Sequence, residues 1–156
     1  MAQTATTSVK SEKFLTFRLI KEKYGIEILK IREIIGMVDI TPMPQTPTFI
    51  KGIINLRGKV IPVIDLRIKF GLDASDYSRE SCMIIVDMKG KQIGLIVDAV
   101  HDVIELKQEQ IDEASFGIKI NGDFLSGIGK FGNEVIILLN IDRVLSSEEF
   151  VTTVGI

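Results

Sequence analysis

The feature that most constrains this chain is that it runs twice through one pattern. The segment Phe14-Leu15-Thr16-Phe17-Arg18-Leu19 has the apolar spacing of Met83-Ile84-Ile85-Val86-Asp87-Met88, 69 residues further on. The same offset carries Gly25 to Gly94, Ile26 to Leu95, Ile28 to Val97, Ile31 to Val100, Glu33 to Asp102 and Ile34 to Val103. Beyond that the offset is 75: Phe49, Gly52 and Ile53 map to Phe124, Gly127 and Ile128, and 60–66 maps to 135–141. The change of offset places six extra residues in the second half, within the polar stretch 107–122. Apolar strands resemble one another cheaply, but matched glycines and a matched acid do not arise so easily. The reading is two copies of one supersecondary unit, each of about five short strands. A unit of that size buries too little surface to stand comfortably alone, so the copies are expected to pack together and share a core.

The units read as β. Short apolar runs rich in β-branched residues recur at 14–19, 52–56, 60–66, 83–86, 93–97 and 135–141. Turn signals separate them at 21–23, 55–59, 89–91, 121–123 and 129–133, a spacing that suits a sandwich or barrel. Val60-Ile61-Pro62-Val63-Ile64 is apolar at nearly every position and predicts a strand buried on both faces. Pro62 donates no ladder hydrogen bond and marks an edge or a bulge there. Helical signals are weak. Thr46 and Pro47 suit the start of a single turn over 47–50, and Ser147 with Glu148 and Glu149 suits a short C-terminal helix over 146–150.

Composition narrows the function. The 156 residues hold 19 basic against 21 acidic side chains, without a basic run for phosphate. Aromatic residues are 6% and Trp is absent, which leaves few stacking platforms for single-stranded nucleic acid. Residues 1–12 are polar and rich in Thr and Ser, and read as a tail rather than a signal peptide. No apolar stretch approaches the roughly 20 residues of a spanning helix, so the expectation is a soluble cytoplasmic protein. The lone Cys82 lies in an apolar run and reads as a small buried hydrophobe in a reducing compartment. His101 is the only histidine, and no second His accompanies it, so it reads as a surface or satisfied residue. No metal set, phosphate loop or dinucleotide fingerprint is visible. No catalytic residue, cofactor or metal is assigned.

Two places invite a partner. Asn55 and Gly58 fit a tight turn that puts Leu56 and Arg57 at its tip. Arg57 is then either a solvated arginine or a rigid fork offered to a protein surface. The stretch Ile31-Arg32-Glu33-Ile34-Ile35 and its mate Val100-His101-Asp102-Val103-Ile104 each set apolar residues around one acid. Related by a pseudo-two-fold, they would flank a seam, forming either plain shared core or an apolar groove rimmed by Glu33 and Asp102 that suits an amphipathic helix.

At these residues the sequence resembles the CheW family. The supporting runs are Tyr24-Gly25-Ile26-Glu27-Ile28-Leu29-Lys30-Ile31-Arg32-Glu33-Ile34, Thr46-Pro47-Thr48-Phe49-Ile50-Lys51-Gly52, Asn55-Leu56-Arg57-Gly58, 60–67, Ile96-Val97-Asp98-Ala99-Val100 and Leu125-Ser126-Gly127-Ile128-Gly129. Together they span about 14–150. The resemblance implies a mainly β fold of two pseudo-symmetric, five-stranded SH3-like barrel subdomains. The expected divisions are a tail at 1–12, one domain over 13–150 with subdomains at about 13–80 and 81–145 and strands exchanged between them, and a tail at 151–156. It implies a non-catalytic adaptor that couples the cytoplasmic helical tip of chemoreceptors to the histidine kinase CheA, monomeric alone and recruited to membrane-associated receptor clusters. Ile31, Glu33, Gly52, Arg57, Val100, Val103 and Gly127 would fall on or near the receptor groove. The kinase's regulatory domain would meet the barrel ends, with Phe116 at a second contact, although Asp112-Glu113 is acidic where the family's pattern is basic. A related receptor–kinase pathway, such as surface motility, is the alternative, followed by a small β-barrel ligand binder.

Overall fold

The computed structural model describes residues 11–73, 76–113 and 124–145. The chain runs β1 (Ser11–Leu19), β2 (Glu22–Glu27), a 3-10 turn (Ile28–Lys30), β3 (Ile31–Gly36), β4 (Ile50–Leu56), β5 (Lys59–Asp65) and helix α1 (Leu66–Lys69). It then repeats with β6 (Cys82–Met88), β7 (Lys91–Val97), β8 (Ala99–Lys107), a 3-10 turn (Gln108–Gln110), β9 (Ile111–Glu113), β10 (Leu125–Phe131), β11 (Glu134–Leu139) and helix α2 (Ile141–Val144). Among the described residues no helix is long and apolar enough to cross a membrane.

Two sheets form, and each draws on both halves of the chain. One has the order β8-β1-β2-β11-β10-β9, the other β3-β6-β7-β5-β4. Replacing each strand by its repeat mate turns one order into the other, except for β9. In the second sheet a single bridge, Thr41 to Ile53, stands where β9 pairs with β10. The hairpin β1–β2 thus completes a sheet built from the second half, and β6–β7 completes one built from the first. The exchange is sealed by parallel pairs at repeat-equivalent places: Val63 opposite Gly94, and Leu138 opposite Gly25. A methyl on Gly25 would lie 3.0 Å from the Leu138 side chain, whereas one on Gly94 would meet only ordinary contacts at 3.4 Å.

Alternation explains how strands this short bury both faces. In β6, Met83 and Ile85 point into the interior of their own sheet with Ile54, Ile61 and Val63. Ile84, Val86 and Met88 point the other way, into a central core shared with Leu15, Phe17, Leu19 and Leu95. The first sheet has its own interior of Phe14, Ile104, Leu106, Ile136 and Leu138. Gly129 stands where the other unit has Ile54, and the Leu106 methyl, 2.6 Å from its missing Cβ position, fills the space. Three apolar clusters therefore stack as interior, shared core, interior.

Three local expectations need correction. Val60 is 65% exposed, so β5 alternates and is not buried on both faces at its start. Its repeat mate Val135 is likewise 61% exposed. Pro62 lies neither in an edge strand nor at a bulge; β5 sits between β7 and β4, but its pairing with β7 covers only Val63 to Asp65. Pro62 thus precedes the parallel ladder. The turn at 47–50 forms through the Ile50 N–H to the Pro47 carbonyl (3.0 Å), but Thr46 does not cap it. Its hydroxyl donates to the Met43 carbonyl instead (3.2 Å). The helices that do form are capped by Asp65, whose carboxylate accepts from the Arg67 and Ile68 amides, and by Asn140, which accepts from Arg143. The helix expected over 146–150 lies outside the described residues.

Candidate partner-binding surface

Asn55 shapes the tip of the β4–β5 hairpin. Its side-chain oxygen accepts from the Gly58 amide at 2.9 Å, and Arg57 and Gly58 take φ of 51° and 86°. Two residues in left-handed conformation match the twist of the flanking strands, and Gly58 adopts it without steric cost. Arg57 is therefore held in a set direction. Its guanidinium pairs with the Glu33 carboxylate on β3. Because β3 and β4 are the two edges of one sheet, this ion pair closes the roll of the sheet at the surface. Arg57 is exposed, and its guanidinium is engaged with Glu33 within the chain.

Ile31 and Val100 are half-buried, and both rest on the central core. Cys82 pairs with Gly36, at the end of β3 away from Ile31, and is half-buried. Burial pushes the Cys82 thiol above its ordinary pKa. Val103 stands 52% exposed on β8, and its repeat mate Ile34 is also exposed. Between Val100 and Val103 the ladder to β1 is irregular, and the Thr16 hydroxyl fills the gap. It donates to the Asp102 carbonyl (2.9 Å) and accepts from the Asp102 amide (3.0 Å). This fixes the β8 backbone beneath Val103 and leaves the Asp102 carboxylate exposed. His101 is exposed on the same strand.

Gly52 and Gly127 occupy different surroundings from the other expected groove residues. Both are buried, and each follows a register shift in its hairpin. A Cβ on Gly52 would lie 2.1 Å from the Thr41 carbonyl oxygen, and one on Gly127 would lie 2.7 Å from that of Asp112. Neither lines a surface; each lets a neighbouring backbone come close. Phe116 lies outside the described residues.

Two further features have no signal in the sequence. A groove of about 400 Å³ runs beside β5 and β7, with Met43, Ile53, Val60 and Pro62 as apolar wall and Lys59 and Lys91 as polar rim. Beneath the surface, Arg67 and Asp98 form an ion pair, each side chain 7% exposed. Arg67 Nε donates at 2.7 Å to Asp98 Oδ1, and Asp98 Oδ2 accepts from the Ile20 amide at 2.5 Å. That bond holds Ile20, a β-branched residue, at φ 58°. Nearby, burial and then the bond from its hydroxyl to Asp65 (2.6 Å) push the Tyr77 phenol far above its usual range.

Fold and surface define a class: a β module of two sheets that exchange hairpins between its halves, with exposed valines on three different strands. The family model for the CheW-like domain matches residues 13–149. The chain belongs to the CheW family of chemotaxis scaffold proteins, which is non-catalytic. It is 42% identical over 139 residues to a chemotaxis protein CheW of Klebsiella aerogenes, covering 88% of this chain and 84% of that one. It is 29% identical over 154 residues to the CheW of Thermotoga maritima, covering 99% of each. A crystal structure of the scaffolding protein TtCheW from Thermoanaerobacter tengcongensis superposes with a TM-score of 0.83 at 40% identity, over 90% of this chain and 96% of that one.

Proposed function

We propose that this chain couples chemoreceptors to a CheA-type histidine kinase, and that it does so at receptor clusters by holding both partners at once. The receptor's helical tip lies along the seam, against Ile31, Val100 and Val103, with Glu33 and Arg57 at its border. Gly52 and Gly127 shape the strands beneath. The kinase's regulatory domain meets the barrel ends. The lysine-rimmed groove beside Val60 is one such contact, and the region of Phe116 is the second.

The observation that carries this reading is the placing of exposed apolar side chains. Val60, Val103 and Val135 stand more than half exposed on three different strands, at the surface of a chain with a full core beneath them. Exposed valines on different strands suit more than one partner, and weak contacts gain strength when several are engaged together. The test is a co-purification of the chain with a receptor cytoplasmic fragment and with a CheA-type kinase, separately and in mixture. Val103→Arg is expected to lose the receptor and keep the kinase, and Val60→Arg the reverse, with thermal melts unchanged. Binding of neither partner by the folded wild-type chain would refute the reading.

A further inference from the structure

The buried pair Arg67–Asp98 has a counterpart in the other half of the chain, with its charges exchanged. Arg67 is the second residue of α1, and the second residue of α2, at the repeat-equivalent position, is Asp142. Asp98 joins β7 to β8. The matching junction, between β2 and β3, is the 3-10 turn that ends in Lys30, one residue beyond the position equivalent to Asp98. Lys30 Nζ lies 2.9 Å from Asp142 Oδ2. Each helix comes after the strand that runs parallel to the one entering the junction: β5 beside β7, and β11 beside β2. The topology thus sets a helix against a strand-to-strand junction twice, and an ion pair ties them both times.

Each junction leads into a seam strand. From Asp98 the chain enters β8, with Val100 and Val103. From Lys30 it enters β3, with Ile31 and Glu33. The two ties differ in strength. Arg67–Asp98 is nearly sealed from solvent, and the same carboxylate also holds the Ile20 amide. Separating these buried charges is costly. Lys30–Asp142 is a surface contact, its side chains 35% and 52% exposed. Such pairs hold weakly and are screened by salt. Among the described residues β3 is moreover an edge strand, paired only with β6.

We propose that Lys30 and Asp142 are positioning residues, a weak latch that sets β3 and lets that side of the seam yield to a partner while Arg67–Asp98 keeps β8 fixed. This rests on the seam being the receptor site. The test is amide hydrogen exchange on the full chain, for the wild type, Lys30→Gln, Asp142→Asn and the charge-exchanged double variant Lys30→Asp/Asp142→Lys. Either single variant should speed exchange in β3 by about two- to fivefold at low salt, leaving β8 unchanged, and the double variant should restore it. Affinity for a receptor cytoplasmic fragment should fall and recover in the same order. Unchanged β3 exchange in both single variants, equal acceleration in β3 and β8, or no recovery in the double variant would overturn the latch. Failure of the wild type to bind the fragment would sink the coupling reading alone, because the exchange measurement needs no partner.

Discussion

Replacing Gly52 by alanine tests whether that residue acts through shape or through contact. Its φ of 145° lies where L-residues rarely go. Placing one there costs about 1–3 kcal/mol. The new methyl would also lie 2.1 Å from the Thr41 oxygen, 2.7 Å from the Thr41 carbonyl carbon and 2.9 Å from the Ile40 side chain. A backbone carbonyl cannot rotate aside as a side-chain tip can, so the Thr41 segment must move. Thr41 and Ile53 exchange two hydrogen bonds of 2.9 Å each, and both are lost with that movement. At about 1 kcal/mol apiece, they bring the expected loss to about 3–5 kcal/mol. That is a large share of a typical stability of about 5–15 kcal/mol. Gly127→Ala is the internal control. Gly127 is not in the left-handed region, and its nearest contact is 2.7 Å, to the Asp112 oxygen, so about 1–2 kcal/mol is expected. Urea unfolding gives both values, provided the slope with denaturant is unchanged. If Gly52→Ala stays within about 0.5 kcal/mol of wild type, or if the two substitutions cost the same, the argument from close approach is wrong.

Asp98→Asn should cost about 3–5 kcal/mol in urea unfolding, because the buried Arg67 loses its charged partner; a loss under about 1 kcal/mol would show that its other contacts compensate. Ile20→Gly should raise stability by about 1 kcal/mol, since glycine takes the left-handed turn without strain, and any loss would mean that the side chain's packing matters more. The Cys82 thiol, its pKa raised by burial, should react with iodoacetamide at about pH 8 more slowly than an unfolded thiol and catch up on denaturation. Tyr77 has a folded-state pKa above its unfolded value of about 10, so its contribution to stability is complete below about pH 10 and is lost as pH rises further. Thermal melts from about pH 9 to 11 should therefore fall less steeply for Tyr77→Phe than for wild type.

The repeat carries most of the fold because it compares one half of the chain with the other at every position. Matched glycines such as Gly25 with Gly94, and Gly52 with Gly127, survive where apolar residues interchange freely. What it cannot carry is partnership between distant residues. Arg67 and Asp98 are 31 residues apart, and neither stands out until β5 and β7 are laid side by side. Val60 misleads for a simpler reason: a run in which inward and outward positions are both apolar hides the two-residue period. Asp65 and Asn140 occupy equivalent places and cap equivalent helices, but their helices of four residues each leave almost no periodic trace. Of the residues expected at a groove, Ile31, Glu33 and Val100 are half-buried and Arg57 and Val103 are exposed, which the sequence left open between core and surface. Gly52 and Gly127 are legible as required glycines, and only coordinates show that what requires them is a backbone and not a surface.

The exchanged hairpins bear on how the chain is made. On the ribosome β1–β2 emerges before β3 to β11, yet among the described residues every strand it pairs with outside its own hairpin, β8 and β11, belongs to the second half of the chain. The strands β3, β4 and β5 emerge next and must wait for β6 and β7. The sheet of β3 to β7 cannot close until Val97 is out, and the other cannot close until Leu139 is out. The nascent chain therefore holds apolar hairpins with unpaired edges for most of its synthesis. The hairpin made first is the last to find its place. The chain has the topology of two identical subunits that traded hairpins and were joined end to end, and it matures only as a whole.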